Sequence, residues 1–145
     1  MDLQYLPATE SDIEAIFQLS TDLIHRYEDL SSIDYDRVIS WVRRKIQENI
    51  LTYTCVYQDG QKVGYFRFVS QGDCMELDDL YILPDFQGQG IGKAVVAMCC
   101  AQTTLPVMLY VFTGNSRAIA LYQRMGFRFD RTISPTRCTM IRENL

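Results

Sequence analysis

Several kinds of site are excluded by what this sequence lacks. It has one histidine, His25, and five cysteines but no Cys-x-x-Cys pair, so the spacing typical of zinc ligands is missing and no metal is expected. Five thiols cannot all pair, and Cys99 and Cys100 lie in an apolar helical run, where we expect buried, reduced side chains. No apolar run reaches the roughly 18 residues that span a membrane, and the N-terminus lacks the basic start of a signal peptide. We therefore expect a cytoplasmic protein that does not act at a membrane.

Basic residues are scarce in the first part of the chain. Residues 1–86 contain 7 Lys and Arg against 16 Asp and Glu, whereas residues 87–145 contain 7 against 2. This asymmetry suits a cationic ligand on one side of the molecule and an anionic ligand on the other. Nucleic acid is not an expected partner, because no dense basic stretch with interleaved aromatic residues occurs.

The hydrophobic periodicity predicts one α/β domain over residues 1–145. Strands are predicted at residues 3–7, 51–58, 62–70, 74–83, 106–113, 127–131 and 137–142, and helices at about 9–27, 34–49, 90–103 and 115–125. In the second helix the inward-facing residues are predicted to be Val38, Trp41, Val42 and Ile46. The order β-α-α-β-β-β-α-β-α-β-β predicts a mixed central sheet of about six or seven strands with helices on both faces.

The most informative stretch places three glycines, at 88, 90 and 92, between a predicted strand and a predicted helix. The first N–H groups of a helix have no partner within it, and glycine lets the backbone approach a ligand closely. The helix dipole also favours negative charge at this end. The stretch therefore predicts a phosphate-binding turn.

Two common phosphate motifs do not fit this turn. A P-loop requires a hydroxyl residue after Gly-Lys, but Ala94 follows Lys93, and Gln87 stands where the first glycine belongs. A dinucleotide fingerprint requires a third glycine where this chain has Lys93 or Val95.

The turn instead resembles the acyl-CoA pyrophosphate loop, Gln-x-x-Gly-x-Gly, of the GNAT acetyltransferase superfamily. A second stretch, 23 residues further on, resembles the family pattern Asn-x-x-Ala-x-x-x-Tyr-x-x-x-Gly-Phe. The matching positions are Gln87, Gly90 and Gly92 in the first motif and Asn115, Ala118, Tyr122, Gly126 and Phe127 in the second. The predicted element order is also that of the GNAT fold, so the resemblance covers essentially the whole chain.

This resemblance implies an N-acetyltransferase with acetyl-CoA as cosubstrate. It implies that two central strands splay apart, exposing backbone groups of Leu80, Tyr81 and Ile82 to the acetyl and pantetheine arm. It also implies that the Tyr122 hydroxyl protonates the departing thiolate. The implied cofactor-binding residues are Leu80, Tyr81, Ile82, Gln87, Gly88, Gln89, Gly90, Ile91, Gly92, Lys93, Asn115 and Tyr122.

A general base is also needed, because an amine must lose its proton before it attacks. Glu76 and Asp78 are two residues apart and share a strand face. Strict alternation would expose Leu77, so we predict a bulge at residues 78–79 that returns Leu77, Leu80 and Ile82 to the core. Both carboxylates remain candidates by family resemblance, with Asp78 favoured.

The acceptor is less constrained by the sequence. Candidate substrate residues are Tyr27, Glu28, Asp29, Tyr65, Arg67 and Asp79. The acidic strand favours a small cationic amine. A protein N-acetyltransferase and a non-catalytic acyl-CoA-binding module are the alternatives, and a homodimer is possible by family resemblance.

Overall fold

Residues 1–144, the part of the chain that this computed structural model describes, form a seven-stranded mixed sheet with four α-helices. The strands are β1 (Leu3–Pro7), β2 (Tyr53–Gln58), β3 (Gln61–Ser70), β4 (Met75–Ile82), β5 (Val107–Phe112), β6 (Arg128–Ser134) and β7 (Arg137–Arg142). The helices are α1 (Ile13–Tyr27), α2 (Tyr35–Asn49), α3 (Ile91–Ala101) and α4 (Ser116–Arg124). This element order and the mixed sheet confirm the predicted fold class.

The sheet order is β1-β2-β3-β4-β5-β7-β6, and all neighbours are antiparallel except β4 and β5. The parallel pair is very short: Met75 lies opposite Val107 and Glu76 opposite Met108. Beyond these two pairs the strands diverge, although each continues for several residues. The splay implied for the strand that carries Leu80, Tyr81 and Ile82 is therefore present, and it opens a gap in the middle of the sheet.

Each face of the sheet carries its own apolar core. On one face α3 and α4 pack over β4, β5 and β7, with Leu77, Val95 and Leu109 among the buried residues. On the other face α1 and α2 pack over β2, β3 and β4, with Ile16 and Ile46 completely buried. The helical stripes predicted from the sequence account for this arrangement, because each presents its apolar side to the sheet.

A bulge in β4 decides which of its side chains face which core. Phe66 of β3 lies opposite two residues of β4, Asp79 and Leu80, and Asp79 has a φ of 52°. Leu77, Leu80 and Ile82 consequently pack on the α3 side, while Tyr81 packs on the α1 side. The bulge predicted at residues 78–79 is present, and it turns both Asp78 and Asp79 towards α2.

Side chains cap the starts of three helical segments. Thr9 and Asp12 form a capping box, Asp34 accepts a hydrogen bond from the Arg37 N–H at 3.3 Å, and Asn115 accepts one from the Ala118 N–H at 3.2 Å. A short 3-10 turn at Glu10–Asp12 precedes α1, and these bonds pair N–H groups that the helices leave free.

Two sequence predictions on the α1 and α2 side were wrong. Trp41 does not face inward but is 54% exposed. Leu51 is not part of β2, because residues Ile50–Thr52 form a 3-10 turn in which its side chain faces water. Helical periodicity locates the stripe that faces the sheet but does not show where a cavity interrupts the packing.

The cysteines carry free thiols, and Cys99 and Cys100 are buried as predicted. Within residues 1–144 no cluster of His, Cys, Asp and Glu could hold a metal ion. No helix in the same range has the length and hydrophobicity to cross a membrane.

Candidate active site

Two cavities meet where β4 and β5 diverge. The first, of about 470 Å³, extends along the glycine turn and the start of α3. The second, of about 630 Å³, lies between β4, β5 and helices α1 and α2. Leu80, Tyr81, Asn115 and Tyr122 line both cavities. A molecule in the first cavity can therefore meet a molecule in the second beside these four residues.

The glycine turn has the backbone conformation of a ligand cradle. Gly88 and Gly90 have φ values of 78° and 85°, which favour glycine, and Gly90 caps α3. At Gly92 a Cβ would contact Leu121 at 3.5 Å, so α3 lies close against α4. Gln87, Gly88, Gly90, Ile91, Gly92 and Lys93 all line the first cavity. The unpaired N–H groups of the first turn of α3 thus border the space where a phosphate would lie.

Gln87 has a structural contact that the motif does not show. Its side-chain amide donates a hydrogen bond to the backbone carbonyl of Ile82 at 3.0 Å. The bond holds the turn against the end of β4, because the amide nitrogen of Gln87 donates to the protein backbone. Gln89, also predicted to bind the cofactor, does not line this cavity.

The first cavity is rich in basic side chains. Arg26, Lys93, Arg117 and Arg124 line it, with Asp22 as the acidic exception. A guanidinium nitrogen of Arg117 lies 3.3 Å from the position that a Cβ on Gly88 would take. The motif-based prediction missed Arg117, although its position two residues after Asn115 could have suggested it. These groups suit a polyanion such as the phosphates of coenzyme A.

Tyr122 lies at the junction of the two cavities and packs on Phe127, with 5.7 Å between the ring centroids. Its hydroxyl has no hydrogen-bond partner among residues 1–144. Burial raises the pKa of Tyr122 to about 12. The hydroxyl is therefore protonated at neutral pH and free to donate to a group in the gap.

The splay provides backbone donors beside Tyr122. Leu80, Tyr81 and Ile82 follow the two paired residues of β4, so their β5-facing groups have no partner in the ladder with β5. Unpaired peptide groups at the edge of a cavity are ready to bind a ligand with backbone-like amides. The residues predicted to contact the acetyl and pantetheine arm thus line the gap.

The acidic pair on β4 is held in a network of its own. Lys45 Nζ lies 2.7 Å from Asp78 Oδ2 and 3.1 Å from Asp79 Oδ2, and Arg67 Nη1 lies 3.1 Å from Asp78 Oδ2. The Tyr53 and Tyr81 hydroxyls donate to Asp79 at 2.5 and 2.9 Å. Two cations and two hydroxyls therefore stabilise the two carboxylates, and none of these partners was predicted.

Asp78 nevertheless keeps one oxygen available. Both of its cationic partners contact Oδ2, while Oδ1 has no hydrogen-bond partner within the described residues. Burial, followed by the adjoining Asp79, raises the pKa of the Asp78 carboxyl. Burial also lowers the pKa of Lys45, but the two carboxylates outweigh this effect and the pKa of Lys45 is raised overall.

Glu76, the other candidate base, lies outside both cavities. Its carboxylate accepts a hydrogen bond from the Gln71 side chain at 2.8 Å. Burial, followed by the charge of Asp78, raises the pKa of Glu76. The structure thus separates the two candidates: Asp78 lines the second cavity, and Glu76 does not.

The residues predicted at the end of α1 are dispersed. Tyr27 lines the first cavity and stacks on Phe112 at 5.9 Å, whereas Glu28 lines the second and accepts a hydrogen bond from the Thr136 hydroxyl. Asp29 lies outside both cavities, where it caps a short turn by accepting from the Ser31 N–H at 3.1 Å.

Tyr65 is also remote from the second cavity, and its hydroxyl donates to Asp12 at 3.2 Å. Six residues that line this cavity were not predicted as site residues: Arg37, Trp41, Arg44, Lys45, Tyr110 and Arg137.

The splayed sheet and the glycine turn at the gap have the arrangement expected of an acyl-CoA-dependent transferase from the two sequence motifs. A family model described as the acetyltransferase (GNAT) family matches residues 13–127, and the chain belongs to this family. The family membership predicted from the two motifs is thereby confirmed.

The chain is also similar in sequence to two bacterial proteins. The chain is 27% identical over 136 residues to the spore coat polysaccharide biosynthesis protein SpsD of Bacillus subtilis, covering 87% of this chain and 47% of SpsD. It is 28% identical over 110 residues to the acetyltransferase PseH of Campylobacter jejuni, covering 72% of this chain and 68% of PseH. The chain thus spans about half the length of SpsD.

Solved structures share the fold over nearly the whole chain. The PaiA N-acetyltransferase of Thermoplasma acidophilum in complex with coenzyme A superimposes with a TM-score of 0.71 at 18% identity, covering 99% of both chains. An acetyltransferase of Thermus thermophilus gives 0.75 at 21% identity, covering 98% of this chain and 97% of the other. At these identities the likeness concerns the fold.

Proposed function

We propose that the protein is an acetyl-CoA-dependent N-acetyltransferase that transfers the acetyl group directly to a primary amine of a small molecule. The observation that carries this proposal is the meeting of two cavities beside Tyr122 and the splayed part of β4. One cavity has the glycine turn and basic lining that suit coenzyme A, and the other remains for the acceptor. Direct transfer requires both molecules to be present at this junction.

The glycine turn and Arg117 hold the pyrophosphate in this proposal, and Lys93 adds positive charge beside the start of α3. The pantetheine arm pairs with the free edge of β4 at residues 80–82, and the thioester lies beside Tyr122. A β5-facing N–H of this edge donates to the carbonyl oxygen as negative charge develops on it.

Proton transfer in this proposal uses two side chains. The acceptor ammonium gives up a proton through water to Oδ1 of Asp78, the oxygen that neither Lys45 nor Arg67 contacts, in a residue that lines the second cavity. The neutral nitrogen then attacks the thioester carbon, and the carbon–sulfur bond breaks as the new amide bond forms. The nitrogen loses its second proton to water, and the departing sulfur takes one from the Tyr122 hydroxyl. Water then returns a proton to Tyr122 and takes one from Asp78, so one proton is released to solvent in each turnover.

The size of the second cavity supports a small acceptor. Its volume of about 630 Å³ falls within the range of ordinary small-molecule pockets, and α1 and α2 form its walls. The name of SpsD refers to polysaccharide biosynthesis, which suggests an amino sugar as one acceptor to test. The small cationic amine expected from the acidic strand is less well supported, since Lys45 and Arg67 already neutralise Asp78 and Asp79.

Calorimetric titration with acetyl-CoA and dephospho-CoA, followed by a thiol-release screen over small amines, tests the proposal. We expect saturable binding of acetyl-CoA and turnover with at least one class of amine. Binding without turnover on any small amine would favour a non-catalytic acyl-CoA-binding module or a protein acceptor. Absence of acetyl-CoA binding would overturn the proposed role of the glycine turn.

A further inference from the structure

The second cavity contains three guanidinium groups that the transfer chemistry does not use. Arg37 and Arg44 of α2 and Arg137 of β7 all line it. Among residues 1–144, none of the three has a carboxylate partner within 4 Å, whereas Arg43, their neighbour on α2, is paired with Glu14. Three cations without a carboxylate partner along one open cavity do not suit a site meant to accept a cation.

The acidic groups of the same cavity do not balance them. Asp78 and Asp79 are compensated by Lys45 and by Arg67, which approaches from β3. Glu28 is the only other carboxylate in the lining. Three arginines therefore face one remaining acid, and the cavity has an excess of positive charge although the chain as a whole has a net charge of −4.

The arginines are arranged around aromatic surface. Arg37, Trp41 and Arg44 are spaced by four and three residues, so they share one face of α2. Seven residues of helix place Arg37 and Arg44 about 10 Å apart along the axis. The Arg137 guanidinium lies over the ring of Tyr110, with 5.2 Å from Cζ to the centroid. Stacking of this kind orients a guanidinium while leaving its edge N–H groups free to donate.

We propose that the acceptor amine carries an anionic group, a phosphate or a carboxylate, which Arg37, Arg44 and Arg137 bind while Trp41 packs against its uncharged part. The planar guanidinium fork can donate two parallel hydrogen bonds to a pair of oxygens of either anion. Trp41, at 54% exposed, offers a ring surface at the cavity wall that the fold itself does not bury. This inference rests on the proposed function, because it names the acceptor class of the same transferase site.

Matched pairs of amines test the inference. Glucosamine 6-phosphate is compared with glucosamine, and β-alanine with β-alaninamide, by calorimetric titration of the protein with and without coenzyme A. We expect the anionic member of at least one pair to bind about tenfold or more tightly than its neutral partner. A preference in the sugar pair alone indicates a phosphate site, and one in the other pair indicates a carboxylate site.

Single Arg→Gln variants then locate the anion. Arg37→Gln, Arg44→Gln and Arg137→Gln should each reduce the preference for the anionic member, whereas Arg128→Gln, on β6 outside both cavities, should retain it. Arg37 and Arg44 are exposed, so their variants should fold normally. Arg137 is the most buried of the three arginines, so Arg137→Lys serves as a second variant there. It retains the positive charge but loses the two-pronged donor geometry of the guanidinium group.

The inference is overturned if the anionic member of each pair binds no tighter than the neutral one, or if the preference survives removal of all three guanidinium groups. Acetyl-CoA binding is measured separately on the same preparations. Loss of acetyl-CoA binding counts against the proposed function, whereas normal acetyl-CoA binding with a preference for neutral amines counts against the anion site alone.

Discussion

The Lys45 ammonium lies 2.7 Å from Oδ2 of Asp78, which fastens the middle of α2 to β4 at the wall of the second cavity. Both side chains are largely buried, at 20% and 13% exposure. Arg67 contacts the same oxygen, and a carboxylate whose charge is already compensated is a poor ligand for a further cation. The acidic strand therefore supports the architecture of the site more than it attracts a cationic acceptor.

Tyr122→Phe should lower kcat by about 10²–10⁴-fold, because the departing thiolate loses its proton donor. The KM for acetyl-CoA should change little, since the ring and its contact with Phe127 remain. Steady-state kinetics measure both constants, and Tyr57→Phe, outside both cavities, is the matched control.

Because the pKa of Tyr122 is about 12, deprotonation of this group should not lower the wild-type rate between pH 7 and 10. An unchanged kcat in Tyr122→Phe would remove the proton-donor role.

Gly90→Asp should weaken coenzyme A binding by at least about tenfold, through a carboxylate placed beside the phosphates and a strained φ. Gly60→Asp is the control, since Gly60 has a φ of 77° in the β2–β3 turn, with open space around it. Both substitutions strain the backbone, but only the first adds charge at the cavity. Calorimetry with coenzyme A and thermal melts separate the two effects. Equal affinities in the two variants would contradict the assignment of the turn.

Lys45→Gln should destabilise the protein by about 3 kcal/mol at neutral pH, because it leaves two buried carboxylates with one fewer cation. The pKa of Asp78 is already raised in the folded state and should rise further in this variant. A group whose folded pKa exceeds its unfolded value contributes less stability as pH rises, so the loss should be smaller at pH 5 than at pH 7.

Thermal melts at the two pH values measure this difference, with Arg43→Gln as the control. Arg43 is two residues away on α2 but pairs with the exposed Glu14, so its variant should lose less stability. A loss in Lys45→Gln that grows on acidification would show that the carboxylates do not require this cation.

Asp78→Asn and Glu76→Gln should differ in their effect on kcat/KM. We expect Asp78→Asn to lower it by about 10²–10³-fold, since Oδ1 no longer takes up the proton of the amine. The wild-type rate should fall on acidification as Asp78 becomes protonated, at a pH above the usual range for an aspartate because its pKa is raised. Glu76→Gln should retain most activity, as its side chain lies outside the cavities. The opposite order of effects would transfer the role of base to Glu76.

The elements that depend on local sequence were predicted well. Gly90 and Asn115 mark the starts of α3 and α4 because each supplies a conformation or side chain that a helix end requires. The bulge at Asp79 could be predicted because strict alternation along β4 would expose Leu77, an apolar residue that requires burial. These features involve residues close together in the chain, so spacing alone reveals them.

The partners of the acidic strand could not be predicted in the same way. Lys45 is 33 residues before Asp78, and Tyr53 is 26 residues before Asp79, so their contacts exist only once α2 and β2 are placed against β4. Trp41 satisfies the helical period but faces a cavity instead of the core. Sequence periodicity gives the side of a helix that faces inward, whereas the position of an opening depends on how two helices diverge.

The two-residue contact between β4 and β5 should also make the middle of the sheet open locally more easily than its ends. It leaves two half-sheets, β1–β4 and β5–β7, each with a free edge in the interior of the fold. A pantetheine arm bound between them would act as an eighth strand that is not made of protein. It would form hydrogen bonds with the backbone of β4 along the edge that β5 leaves unpaired. Amide hydrogens near residues 80–82 should then exchange quickly in the empty protein and slowly in the occupied one. Cosubstrate concentration would thus set how rigidly the two halves are joined.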